Sequence, residues 1–195
     1  MIFKKTDLPG VYIIDIERKG DPRGFFARVA CVDEFATHGF SFQPVQASIA
    51  WNIRRGTVRG LHYQAPPHAE AKIVRCTAGA IYDVLLDMRK VSSTYGCWIG
   101  LELSAANRRS LFVPEGIAQG YQTLVDDTEV YYQMTTRYHP EAARGVRWDD
   151  PMLAIDWPLP TIAVVSDADR AQPTFAAATS APGRTTLYRA TRRTA

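Results

Sequence analysis

Long apolar runs are missing from this sequence. Nowhere do about 18 apolar residues follow one another, so no segment reads as a membrane-spanning helix. Cysteine is scarce. Cys31, Cys76 and Cys97 form no Cys-x-x-Cys pair and cannot all pair with one another. They read as reduced thiols, with room for one bridge at most, and point to a cytoplasmic protein. Met1–Gly10 holds Lys4, Lys5 and Asp7 and no apolar run, which does not fit a signal peptide. Acid is absent from the last 21 residues, where Arg184, Arg189, Arg192 and Arg193 lie. The net charge of +3 is therefore a +4 tail on a body of −1. The basic character belongs to the tail and gives little support for nucleic-acid binding. Neither a nucleic acid nor a membrane is expected as a partner.

What is present describes a folded chain. Hydrophobic residues make up 46% and charged residues 22% of 195, which excludes wholesale disorder. That length buries a sizeable core without disulfides. Glycine and proline punctuate short runs rich in Val, Ile, Tyr and Phe. Strands are expected over 10–16, 71–77, 80–88, 98–103, 109–113, 120–124 and 128–135. Many short strands with turns between them predict an all-β sandwich or barrel. Along Ile81–Asp87, Ile81, Asp83, Leu85 and Asp87 share one face, and Tyr82, Val84 and Leu86 the other. Apolar groups on both faces predict a strand buried between layers. Helical signals are few: a short helix over 32–38 ending near Gly39, and one turn over 167–170. Residues 1–175 read as one domain and 176–195 as a mobile tail rich in Ala, Thr and Arg.

The segment richest in chemistry is Gly56-Thr-Val-Arg-Gly-Leu-His-Tyr-Gln64, which sets Arg59 and His62 beside glycine turns. A metal site would need clustered His and carboxylate ligands. Gln64 stands two residues after His62, and His38, His68 and His139 are scattered, so no metal is expected. Arg59 and His62 lie three positions apart, and an ideal strand points them to opposite faces. Both reach one cavity only through a bulge, expected at Gly60.

Arg59-Gly-Leu-His-Tyr-Gln64 resembles the signature of the dTDP-4-dehydrorhamnose 3,5-epimerase family. Other elements follow in the family's order: Asp21-Pro-Arg-Gly-Phe-Phe26, Lys72-Ile-Val-Arg75, Gly79-Ala-Ile-Tyr-Asp-Val84, Phe112-Val-Pro-Glu-Gly116, Gly120-Tyr-Gln-Thr-Leu124 and Ser166-Asp-Ala-Asp169. The resemblance spans roughly residues 3–175. It implies an all-β double-stranded β-helix, the cupin-like jelly roll, with a few short helices. It also implies a homodimer whose N-terminal strands cross to a neighbour, and catalysis without metal or cofactor.

The substrate it implies is a nucleotide-linked 4-keto-6-deoxyhexose. The C4 ketone acidifies the hydrogens at C3 and C5, because either carbanion delocalises onto O4. By the resemblance His62 is the base, steadied by Asp169, and Tyr132 is the acid on the opposite face. Lys72 is the cation beside O4. Arg59 and Arg23 hold the diphosphate, and Gln46, Phe26 and Tyr138 frame the sugar or nucleotide. Plainer readings compete: Lys72 and Arg75 as solvent-facing strand residues, Tyr132 and Tyr138 as barrel packing, Asp169 as the N-cap of a short turn.

Three positions depart from the family pattern. Gln119 stands where the family usually has His, Arg28 where it has an acid, and Gln46-Ala-Ser48 where it has Gln-Asp-Asn. Glutamine hydrogen-bonds but carries no proton charge near neutral pH. Gln119 and Arg28 are therefore candidate specificity residues. The expected function is an epimerase at C3, C5 or both. The alternatives are a single-site epimerase or ketoisomerase, a non-catalytic cupin-like binding protein, and a metal-dependent oxygenase.

Overall fold

The computed structural model describes residues 1–179 and the short strand Arg192–Arg193. The N-terminal half contains β1 (Ile2–Lys5), β2 (Tyr12–Asp15), β3 (Lys19–Asp21), β4 (Gly24–Phe26), α1 (Val32–Thr37), β5 (Gln46–Asn52), β6 (Val58–Gln64), β7 (Lys72–Ala78) and β8 (Ala80–Asp87). Then follow β9 (Trp98–Ser104), β10 (Ser110–Val113), β11 (Ile117–Thr123), β12 (Thr128–Met134), β13 (Ala143–Gly145), α2 (Asp167–Arg170), α3 (Phe175–Thr179) and β14 (Arg192–Arg193).

Two six-stranded sheets carry the fold, in the orders β1-β2-β10-β7-β12-β5 and β13-β6-β11-β8-β9-β14. The strand pairs are antiparallel apart from β14 on β9, and the expected jelly roll is the fold observed. Most expected strands appear within a few residues of their expected ends. Strands β5 and β6, like the shorter β1, β3, β4 and β13, lie outside the expected strand ranges. Gln46-Ala-Ser48 has weak strand propensity, and Gly60 interrupts the β6 pattern. Pairing with β12 and β11 recruits both segments, and tertiary pairing outweighs local preference.

The two sheets meet through Val74, Cys76, Leu111 and Val130 on one side and Ile81, Leu85, Ile99 and Tyr121 on the other. Strand β8 is buried on both faces, as its pattern predicts. Ile81 and Leu85 enter this central cluster, whereas Val84 and Leu86 join Leu61, Trp98, Leu153 and Phe175 in a second one. A third cluster packs Phe35 of α1 and Phe42 over Ile73 and Phe112. No disulfide joins Cys31, Cys76 and Cys97. The boundary expected after residue 175 falls inside α3, whose Phe175 is buried and whose Ala178 packs on the second cluster. The rest of the expected tail, apart from Arg192–Arg193, lies outside the described residues.

The bulge expected at Gly60 is present. His62 pairs with Gln119 and Arg59 with Tyr121, so three steps along β6 match two along β11. The extra residue turns Arg59 and His62 into one cavity. Gly60 has φ +114°, and a Cβ there would sit 2.5 Å from Gly120 Cα and 2.9 Å from the Gln119 carbonyl oxygen. Gly60→Ala is expected to lose more than about 2 kcal/mol of stability in urea denaturation. Gly20→Ala, whose Cβ meets only the Gly24 carbonyl oxygen at 3.6 Å, serves as the control and should change stability by less than about 0.5 kcal/mol.

Candidate active site

A cavity of about 570 Å³ opens between the sheets. Strands β5, β7 and β12 of one sheet and β6, β11 and β13 of the other supply its walls, and α2 closes one side. Of the sequence-predicted residues, His62, Asp169, Tyr132, Lys72, Arg59, Gln46, Gln119 and Tyr138 line it.

His62 projects from β6, and its Nε2 lies 2.5 Å from Asp169 Oδ1. With Nε2 committed to the carboxylate, Nδ1 is the ring nitrogen left for a substrate. Asp169 is not the helix cap. Ser166 caps α2 by accepting the Asp169 N–H at 3.1 Å, and its hydroxyl donates to Asp169 Oδ2 at 2.9 Å. The short helix thereby fixes the carboxylate that holds the imidazole. Burial pushes the Asp169 carboxyl upward. The hydrogen bond and charge of His62, the Ser166 hydroxyl and the Gly60 N–H outweigh that and hold it below the usual carboxylate range.

Tyr132 faces the cavity from the opposite sheet. Its hydroxyl is bonded to that of Tyr121, which donates to Asn52 Oδ1 at 3.2 Å. Burial first, then the neighbouring Tyr121 and Asp83, hold the Tyr132 phenol well above its ordinary pKa, so it stays protonated. The same Asn52 oxygen accepts from Arg59 Nε at 2.8 Å, and the Trp51 carbonyl accepts from Arg59 at 3.2 Å. Arg59 is thus aimed before any ligand arrives.

Lys72 is buried, not solvent-facing, and its Nζ lies 3.1 Å from Glu70 Oε1. Gln119 Nε2 donates to Asp83 Oδ1 at 2.5 Å. Asp83 is fully buried, and its Oδ2 has no hydrogen-bond partner among the described residues. At the rim Gln46 Oε1 accepts the Tyr138 N–H at 3.2 Å.

Three predicted residues do not line this cavity. Arg23 pairs with Asp21 at 2.6 Å, Arg28 with Glu34 at 2.7 Å, and Phe26 is 72% exposed. All three belong to the segment around the β3–β4 hairpin. Sequence reasoning missed Asn52, Glu70, Asp83, Tyr121 and Ser166. For Asp83 a signal existed, a carboxylate inside an otherwise apolar strand.

The family model for dTDP-4-dehydrorhamnose 3,5-epimerase matches residues 5–177. The chain belongs to the dTDP-4-dehydrorhamnose 3,5-epimerase family. A dTDP-4-dehydrorhamnose 3,5-epimerase of Sinorhizobium fredii is 41% identical over 175 residues, covering 90% of each chain. A dTDP-4-dehydrorhamnose 3-epimerase of Streptomyces niveus is 39% identical over 83% of this chain and 78% of its own. The crystal structure of the Bacillus anthracis 3,5-epimerase with TDP and pyrophosphate bound superposes with a TM-score of 0.85. It is 38% identical and covers 89% of this chain and all of its own.

In this family member Asp83 is a buried carboxyl whose proton affinity is raised. Burial raises its carboxyl to about 8, against the opposing pull of Gln119 and Lys72. An unfolded Asp titrates near ~3.9. Between those values the folded protein holds a proton that the unfolded chain has lost, so this group lowers stability progressively as pH rises, and the loss is complete above about 8. Asp83→Asn removes that dependence. Its stability relative to the native protein is expected to grow from pH 5 to pH 8 by a few kcal/mol, read by denaturant titration. A pH-independent difference would contradict the assignment.

Proposed function

We propose that this cavity inverts C3, C5 or both of a dTDP-linked 4-keto-6-deoxyhexose by proton removal and return. One observation carries the reading: the His62–Asp169 pair stands on one sheet and the protonated Tyr132 on the sheet facing it. Epimerisation requires a base and an acid on opposite faces of one carbon. His62 takes the proton and passes its positive charge into the field of Asp169. The electrons move onto O4, where the Lys72 ammonium stabilises the enolate. Tyr132 returns a proton to the other face. Arg59 meets the diphosphate with its planar fork.

The test is incubation with dTDP-4-keto-6-deoxyglucose in deuterated water. Deuterium at C3 and C5 reports double inversion, deuterium at one carbon reports a single-site enzyme, and none reports a binding protein. His62→Ala is expected to lower exchange at least ~10²-fold while the protein stays folded. Undiminished exchange in that variant would end the mechanism. Gln119 favours single-site inversion as a second reading. Its amide is held by Asp83 and carries no proton charge, and the relative from Streptomyces niveus is a 3-epimerase.

The working unit we propose is a cytoplasmic homodimer. Strand β5 ends its sheet, with Gln46, Ser48 and Ala50 lining the cavity and Ile49 and Trp51 turned out. Ile49 is 63% exposed and Ile53, just beyond the strand, 70% exposed. An apolar, unpaired edge calls for a cover, and the exposed β3–β4 hairpin can then carry Arg23 and Phe26 to the partner's cavity. Arg28 acts as a nucleotide selector only in such an arrangement. Sedimentation at micromolar concentration is expected to show a dimer, and a fully active monomer would contradict it.

A further inference from the structure

Beside the cavity lies a cluster that the proton-transfer chemistry does not use. His68 sits between β6 and β7, and His139 and Glu141 sit between β12 and β13. The two imidazoles stack with centroids 3.7 Å apart and planes 15° from parallel. His139 Nδ1 lies 3.0 Å and His68 Nε2 3.9 Å from the same oxygen, Glu141 Oε1. One donor atom from each residue falls within 4.8 Å of the other two. We propose that His68, His139 and Glu141 form a binding site for a divalent transition-metal ion of the zinc type.

The donor set selects the class of ion. Two neutral imidazoles and a carboxylate suit zinc, nickel or copper, whereas magnesium and calcium prefer all-oxygen cages. Zinc holds such ligands at about 2.0–2.2 Å, which places donors roughly 3.4 Å apart. The His139–Glu141 separation is already of that size. The rings reach the ion by turning about χ2, so that coordination replaces the stack. His68 and His139 are each about one-third exposed and Glu141 two-thirds, so an ion can enter and keep water in its remaining position.

The backbones that carry the ligands are already fixed together. Gln64 is buried, and its Oε1 accepts the His139 N–H at 2.6 Å while its Nε2 donates to the His68 carbonyl at 3.1 Å. The His139 carbonyl accepts from Ala142 and Ala143 at 3.0 Å, and the His68 N–H donates to the Ala65 carbonyl at 3.1 Å. Loops joined in this way lose little conformational freedom on binding an ion. Gln64 Nε2 also donates to Glu70 Oε2, and Glu70 pairs with Lys72. An ion here would brace the wall that carries Lys72.

The experiment uses the full chain, stripped with a chelator and dialysed against micromolar zinc or magnesium chloride. One zinc per chain and no magnesium are expected. His68→Gln and His139→Gln should each weaken zinc binding roughly tenfold or more. Zinc should also shift the imidazole resonances of His68 and His139 in the native protein and spare those of His38 and His62, a readout that needs no variant to fold. Absence of zinc binding overturns the site. So does binding that is unchanged in both variants, or a zinc response confined to other groups such as the cysteine thiols.

Discussion

Gly60 and Gly120 pass backbone to backbone where β6 slips one residue against β11, and the working face of the protein depends on that approach. A side chain at either position would collide with main chain. The slip turns Arg59 and His62 to the same side, although regular alternation would separate them. The Gly60 N–H also reaches Asp169, so the bulge that aims the imidazole helps to hold its carboxylate ionised.

Around that step the polar groups form two chains with different characters. Arg59, Asn52, Tyr121 and Tyr132 are joined in a network that runs from the exposed guanidinium inward; it keeps the cation aimed, and burial at its inner end keeps the Tyr132 phenol protonated against the opposing pull of Arg59. Asp83 and Gln119 form a poorer pair, with one carboxylate oxygen left over in a dry place. Elsewhere in β8, Asp87 is equally enclosed, yet it accepts from Arg89, Ser92 and Thr94 and stays below the ordinary carboxylate range against the upward push of burial. Two aspartates four residues apart on one face of one strand therefore have opposite proton affinities. Partners, rather than position in the strand, decide the difference.

The sheets divide the labour. One brings Tyr132, Lys72 and the β5 edge; the other brings His62 and Gln119, with Asp169 laid over it by α2. A reaction that needs opposite faces of one carbon suits a cavity with two independent walls. The segment around the β3–β4 hairpin stands apart, with Arg23 and Arg28 paired to nearby acids and Phe26 in solvent.

Much of this was legible in the residues. The two-faced apolar pattern of β8, the glycine punctuation and the ordered motifs pointed to a buried-strand jelly roll and to eight of the cavity-lining residues, His62, Asp169, Tyr132 and Lys72 among them. Those signals are local, because side-chain alternation and turn chemistry depend on neighbours in the chain. Strand β5, the network through Asn52 and Tyr121 and the burial of Lys72 were not legible. They depend on pairings across long separations: 107 residues between His62 and Asp169, 69 between Tyr121 and Asn52, 36 between Gln119 and Asp83. By itself the sequence pointed to the imidazole, carboxylate, phenol and ammonium of His62, Asp169, Tyr132 and Lys72 as groups of one cavity. Only the tertiary structure decided which of them are charged, because desolvation and the choice of hydrogen-bond partner exist only once the two sheets have closed.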